Sequence, residues 1–208
     1  MKTPSPITVN LQKTFQNVKS LDKMESSGGL LGARVRCHFP ASSRPILRSP
    51  REEICQEFGH WIDTMAPWEW YATLTFRDPE DPRFPNWTKV GWKSAHNALR
   101  SFNNALVMEL DYQNPLWVAC MELQQRGVPH WHALVANVGE QRRMSWVDWW
   151  FEHYGIARIL PYQEELGARY YLGKYLAKEV ADIEFSPALK AKLIREGFDK
   201  KVVVGGRW

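Results

Sequence analysis

The sequence predicts an α+β domain, with a central antiparallel sheet of four to five strands, flanking helices and a disordered basic N-terminal leader. Three observations carry this reading. "WEWYATLTF" (68–76) alternates strictly, with Trp68, Trp70, Ala72, Leu74 and Phe76 on one face and Glu69, Tyr71, Thr73 and Thr75 on the other. That is the pattern of a strand with one face in a core. "LWVACMELQQ" and "HWHALVANV" are apolar runs joined by a short turn containing Gly127, and they read as a hairpin. Long helical stretches fall between these strands with no regular strand–helix alternation, which favours α+β over a doubly wound sheet. The expected architecture is one sheet with helices packed against one face.

Taken in order, residues 1–48 form the leader and 49–208 the folded domain. The first 50 residues hold five prolines, seven serines and none of the 11 tryptophans, a composition that buries little. A short helix within 10–24 is the only regular element expected there. In "SPREEICQEFGHWIDTMAPW", Ser49 is placed as an N-cap, Pro50 as the first helical residue and Glu52 and Glu53 in the first turn, with Pro67 ending the helix. After the strand 68–76 and a proline-rich loop, a helix is expected from Thr88 to Leu110. Its apolar face is Trp92, Ala95, Leu99, Phe102 and Leu106. Beyond the hairpin, "SWVDWWFEHYG" reads as a helix closed by Gly155 and "IARILPY" as a strand. Gln163–Ala181 reads as a helix, and "SPALKAKLIREG" as a short helix capped by Ser186. The tail "KVVVGGRW" reads as an edge strand or an arm.

The bulk numbers exclude several classes. The 208 residues allow one domain with a real core plus an appendage. No apolar run approaches the roughly 18 residues of a membrane helix. Lys2 has no apolar stretch behind it, so no secretory signal is expected. Cys37, Cys55 and Cys120 are odd in number and widely spaced, against a disulfide framework or a cysteine-based zinc site and in keeping with a reducing cytoplasm. The net charge of +4 is unevenly spread. Residues 1–50 hold eight Lys/Arg against two Asp/Glu, and the rest hold 19 against 21. The basic excess belongs to the leader, as an arm that tracks a phosphate backbone or as a solvated tail.

Two clusters carry chemistry. In "CMELQQRGVPHWH", His130 and His132 share one strand face, and Glu122 and Gln124 share strand parity with each other. A three-residue loop (126–128) sets Glu122 opposite His132 and Gln124 opposite His130, where opposed Cβ atoms lie about 4.5–5.5 Å apart. Two imidazoles and a carboxylate suffice to bind a divalent ion with positions left open, provided that the register is even. The alternative is a half-buried polar pair with no ion. In "YYLGKYLAK", Tyr171, Lys174, Tyr175 and Lys178 form one helical stripe opposite Leu172, Leu176 and Val180. A phenol can attack a phosphodiester, and ammonium groups offset phosphate charge and favour the phenolate. The alternative is a solvated face of snorkelling lysines. Other motifs fail. Gly167 and Gly173–Lys174 have the wrong spacing for a P-loop, and Tyr175 replaces its Ser/Thr. H-E-x-x-H and the deaminase signature are absent, and Leu134 stands where a histidine triad needs its third histidine.

Together these pieces resemble the HUH endonucleases, which comprise rolling-circle replication initiators, relaxases and single-strand transposases. "YATLTF" is similar to their strand-borne first motif, "ELQQRGVPHWHALV" to the His-hydrophobic-His metal motif, and "YLGKYLAK" to the Tyr-x-x-Lys nucleophile motif, here doubled. The resemblance spans about residues 68–180 and implies an HUH/RRM-like sheet. It further implies that His130, His132 and Glu122 bind Mg²⁺ or Mn²⁺, with Gln124 as a reserve or outer ligand. Tyr175, or else Tyr171, attacks to leave a 5′-phosphotyrosyl link and a free 3′-OH, while Lys178 and Lys174 steady phosphate or metal. The implied partners are single-stranded DNA at an origin or hairpin and a host helicase and polymerase, in the cytoplasm of a prokaryotic cell or virus-infected host. Motif order favours a plasmid or phage initiator over a relaxase, with transposase open. A non-catalytic nucleic-acid-binding domain and a water-using metallohydrolase are the competing readings. Among the tryptophans, Trp68, Trp70, Trp92 and Trp131 are expected in the core, and Trp149, Trp150, Trp87 and Trp208 as stacking surfaces for bases.

Overall fold

The computed structural model describes residues 50–78, 80, 89–111, 113–125, 127–173 and 182–198. The expected leader 1–48, Trp87, the second half of the 163–181 helix and the tail 201–208 lie outside the described residues. Backbone contacts divide the chain into Met1–Ile54, of which only the opening of the first helix is described, and Cys55–Trp208, which carries the sheet.

Along the chain run α1 (Pro50–Asp63), β1 (Trp70–Phe76), α2 (Trp92–Glu109), β2 (Leu116–Leu123), β3 (Pro129–Ala136), α3 (Arg143–His153) and β4 (Gly155–Pro161). A π-helical turn (Arg169–Gly173), β5 (Asp182–Phe185) and α4 (Pro187–Arg195) follow. The strands form one sheet in the order β4-β1-β3-β2-β5, and every neighbouring pair is antiparallel. The first four strands with α2 and α3 make the β-α-β-β-α-β arrangement, and β5 extends it beside β2. That fifth strand is "DIEF", four residues before Ser186 that the sequence reading did not assign to a strand. Among the described residues, no helix is long and apolar enough to cross a membrane.

Strand periodicity divides the molecule. On one face, Trp70, Ala72, Leu74 and Phe76 of β1 join Trp131, Ala133 and Val135 of β3, Trp117, Ala119 and Met121 of β2, and Ala157 and Ile159 of β4. From α2, Ala95, Ala98, Leu99, Phe102 and Leu106 cover this face, and α3 adds Trp146 and Trp150. Each fully buried large side chain here is worth about 1.5–3 kcal/mol over its exposed state. The indole N–H groups of three tryptophans are satisfied inside the core. Trp131 donates to the Ala95 carbonyl at 3.0 Å, Trp150 to that of Thr75 at 3.1 Å, and Trp117 to the Asn103 side chain at 2.8 Å.

Helices also cover part of the opposite face, contrary to the expectation of a one-sided sandwich. Trp61 of α1 meets Phe185 of β5 edge-on with ring centroids 6.2 Å apart. Val118, Cys120, Leu134, Ile183, Leu189 and Leu193 are all buried on this side. Ser186 caps α4 as expected, accepting the Leu189 N–H at 3.1 Å. Two other expectations are corrected. Trp92 opens α2 at 42% exposure instead of lying in the core, because the helix begins four residues later than Thr88 and its first turn lies beyond the sheet. Gly155 does not cap α3, which ends at Tyr154. It starts β4 opposite Phe76, where a Cβ would lie 2.3 Å from the Thr75 carbonyl oxygen.

Candidate metal centre

The centre lies on the part-covered face and is built by the hairpin. His130 and His132 flank Trp131 on β3, so burying the indole on one face turns both imidazoles to the other. The register pairs Glu122 with His130 and Cys120 with His132. This corrects the expected pairing of Glu122 with His132 and of Gln124 with His130. The strands stop at Leu123 and resume at Pro129, a wider turn than three residues. It is closed by Gln124 N–H to the Val128 carbonyl at 2.9 Å and Gly127 N–H to the Gln124 carbonyl at 2.8 Å, with Gly127 at φ 74°. The offset is two residues, so parity survives and the three side chains keep one face.

His130 Nε2 lies 2.9 Å from His132 Nε2 and 3.1 Å from Glu122 Oε2, and His132 Nε2 lies 3.6 Å from the same oxygen. These three atoms come together within 4.8 Å, at side chains 5–21% exposed. Two imidazole nitrogens and a carboxylate oxygen, turned inward at this spacing, are a donor set able to hold a divalent ion.

The outer nitrogens of the rings are also engaged. Gln124 Nε2 lies 3.0 Å from His130 Nδ1, although Gln124 itself has left the strand. Tyr71 Oη lies 2.8 Å from His132 Nδ1, and Thr73 Oγ1 lies 3.4 Å from it. For Nε2 to offer a lone pair, Nδ1 must carry the proton and donate it, here to the Tyr71 oxygen for His132 and, with the amide turned about, to the Gln124 oxygen for His130. Tyr71 and Thr73 are site residues that the sequence reading missed. Their place on the polar face of β1 was legible. Their neighbour, across a β1–β3 pairing that sets Thr73 against His132, was not.

Of the tyrosine–lysine stripe, Lys174, Tyr175 and Lys178 lie outside the described residues. Tyr171 sits in the π-helical turn at 5% exposure, buried like Leu172, which was expected to pack on the opposite side. Its Oη accepts the Gln163 backbone N–H at 3.1 Å, and its ring touches Tyr71 at 4.7 Å, Tyr162 at 5.1 Å and Tyr170 at 5.1 Å between centroids. A normal α-helical stripe therefore does not describe position 171. Tyr162 donates to Asp63 Oδ1 at 2.5 Å. Burial, then that hydrogen bond and the Asp63 charge, push its phenol far above its ordinary 10.0, so it stays protonated.

The stacking tryptophans need correction too. Trp150 is fully buried. Trp149 packs against the core and lies flat on His153 at 4.2 Å. Both belong to a helix wedged on the sheet, which leaves Phe151 at its outer surface. Trp87 and Trp208 lie outside the described residues.

A family model described as a replication-associated protein of the ORF2 type matches residues 69–180, more than half of the chain. The match runs from the start of β1 through the hairpin and past the π-helical turn. No curated protein and no solved structure shows significant similarity to the chain.

Proposed function

The chain belongs to this ORF2-type family of replication-associated proteins, and on that premise we propose that it is an HUH-type initiator that nicks and rejoins single-stranded DNA at the origin of a rolling-circle plasmid or phage. The observation that carries this reading is the convergence of His130 Nε2, His132 Nε2 and Glu122 Oε2 at 2.9–3.6 Å. Those spacings lie near the roughly 2.9 Å edge of an octahedral site with metal–ligand bonds of 2.0–2.1 Å, which supports Mg²⁺ or Mn²⁺. Such an ion supplies Lewis-acid polarisation of the scissile phosphate and charge balance at the departing 3′ oxygen.

The protein's own residues do the rest. A phenol, that of Tyr175 or Tyr171, loses its proton and its oxygen attacks phosphorus. The P–O3′ bond breaks, the 3′ oxygen takes up a proton, and the DNA 5′ end remains as a phosphotyrosyl ester. The ester keeps the energy of the broken bond, so the free 3′-OH can prime synthesis and a later 3′-OH can displace the tyrosine. Lys174 and Lys178 offset phosphate charge during both transfers. His130, His132 and Glu122 hold their donor atoms in place throughout, and Tyr71 and Gln124 orient the imidazoles. Host helicase and polymerase complete the cycle.

The test is incubation with 5′- and 3′-labelled single-stranded origin DNA and Mn²⁺, followed by denaturing electrophoresis and mass spectrometry of the DNA-linked peptide. A covalent adduct that a Tyr171→Phe/Tyr175→Phe double variant cannot form is the expected result. Cleavage without an adduct would instead identify a water-using metallohydrolase, and tight binding without cleavage a non-catalytic DNA-binding domain.

A further inference from the structure

The two motif tyrosines are separated by one turn of sequence, but what surrounds Tyr171 does not suit an attacking group. A nucleophilic phenol must reach a phosphate and lose its proton. Tyr171 is 5% exposed, its oxygen is occupied by the Gln163 main-chain N–H, and its ring lies between Tyr71 and Tyr162. The turn that bears it is fixed from below. Gly59 of α1 has no side chain, and a Cβ there would stand 2.5 Å from Arg169 Cβ and 2.7 Å from its Cα, so helix and turn cross in direct backbone contact. Asp63, at the end of the same helix, accepts the Ala168 N–H at 2.8 Å through the oxygen that also takes the Tyr162 hydroxyl. Tyr171 is thus firmly anchored on every side that the structure describes.

What it touches is the outer shell of the metal centre. The Tyr71 ring lies against Tyr171 on one side. It runs nearly parallel to the His132 imidazole, 8° between planes, with its oxygen on Nδ1. From this geometry, resting on the functional reading above, we infer that Tyr171 is a positioning residue: its ring holds Tyr71 in the rotamer that fixes the His132 tautomer, and Tyr175 is left as the attacking phenol. An aromatic ring buttressing another restricts its torsions without a hydrogen bond of its own, so the contribution of Tyr171 lies in its ring and not in its hydroxyl. The doubled motif then encodes two different tasks.

Calorimetric titration of Mn²⁺ into the full-length chain, without DNA, separates these roles when combined with the adduct assay. Tyr71→Phe, which deletes the hydrogen bond to His132, is expected to weaken Mn²⁺ binding about tenfold or more, as loss of an outer-shell partner does. Tyr171→Leu, which deletes the ring, should weaken it several-fold, while Tyr171→Phe, which keeps the ring, should restore wild-type affinity and still form the DNA adduct. Circular dichroism at the titration temperature verifies that each variant is folded. Wild-type Mn²⁺ affinity in Tyr171→Leu overturns the inference. So does a Tyr171→Phe variant that binds Mn²⁺ normally but forms no adduct. Should the affinity series behave as expected while the wild type itself makes no adduct, the nicking reading fails and the positioning role stands.

Discussion

The two faces of the sheet are made by the same strands, one residue out of phase, and they solve opposite problems. Toward α2 and α3 the strands present Trp131, Leu74, Met121 and their neighbours, with the Trp131 N–H closed onto a core acceptor. Toward the hairpin's other side they present His130, His132, Glu122, Thr73 and Tyr71, engaged with one another through polar atoms. The pleat couples the two. Trp131 cannot shift on its side without displacing both imidazoles on the other, so the dry face acts as the rigid base for the polar one. A precise donor set needs side chains held from behind, and here strand alternation supplies that support within three consecutive residues.

The comparison predicts unequal responses. Trp131→Ala removes a fully buried side chain, and should cost about 3–5 kcal/mol in a urea unfolding curve. His130→Ala should cost clearly less, and an equal loss would mean that the polar face carries the fold as well. Next in size is the effect of the ion. Mn²⁺ at a hundredfold excess over its dissociation constant should stabilise the wild type by about 2.7 kcal/mol, roughly a 5–10 °C rise in Tm, reversed by EDTA and absent in His132→Ala. Stabilisation that persists in the variant would place the ion elsewhere. The smallest effect is at high pH. The folded Tyr162 phenol ionises well above 10.0, whereas in the unfolded chain it ionises near 10. Its contribution is therefore complete below pH 10 and declines as pH rises past that value, because the unfolded chain releases the proton first. Stability measured from pH 9 to 11 should fall less steeply in Tyr162→Phe, and an unchanged slope would refute the assignment.

How far the sequence foretold this depends on the range of the interactions involved. The alternation in "WEWYATLTF" is local, and the structure repeats it residue by residue in β1. The Ser186 cap is equally local. The His-x-His pair with Glu122 was legible as a cluster because parity tolerates a shift of two, yet the register itself was missed, since composition does not say where a strand yields to its turn. Tyr71 was unreadable as an outer partner because His132 is 61 residues away. The burial of Tyr171 follows from a π-helical turn and from the distant Gly59 that lets α1 meet that turn, where a regular helix would have put Tyr171 on the polar stripe. Trp92 and Trp150 exchanged roles because helical periodicity gives a face but not the point at which a helix leaves the sheet. "DIEF" is too short to announce itself, and it is a strand only because β2 offers it an edge.

Both imidazoles sit on β3, the middle of five strands, laddered to β1 on one side and to β2 on the other. Amide protons of an interior strand exchange only through large openings of the molecule. Loading and loss of a cation would accordingly proceed by side-chain rotation, far faster than any opening of the backbone beneath. The clock for acquiring the ion and the clock for unravelling the domain would then run independently, and stopped-flow metal exchange set beside amide deuteration would read them separately.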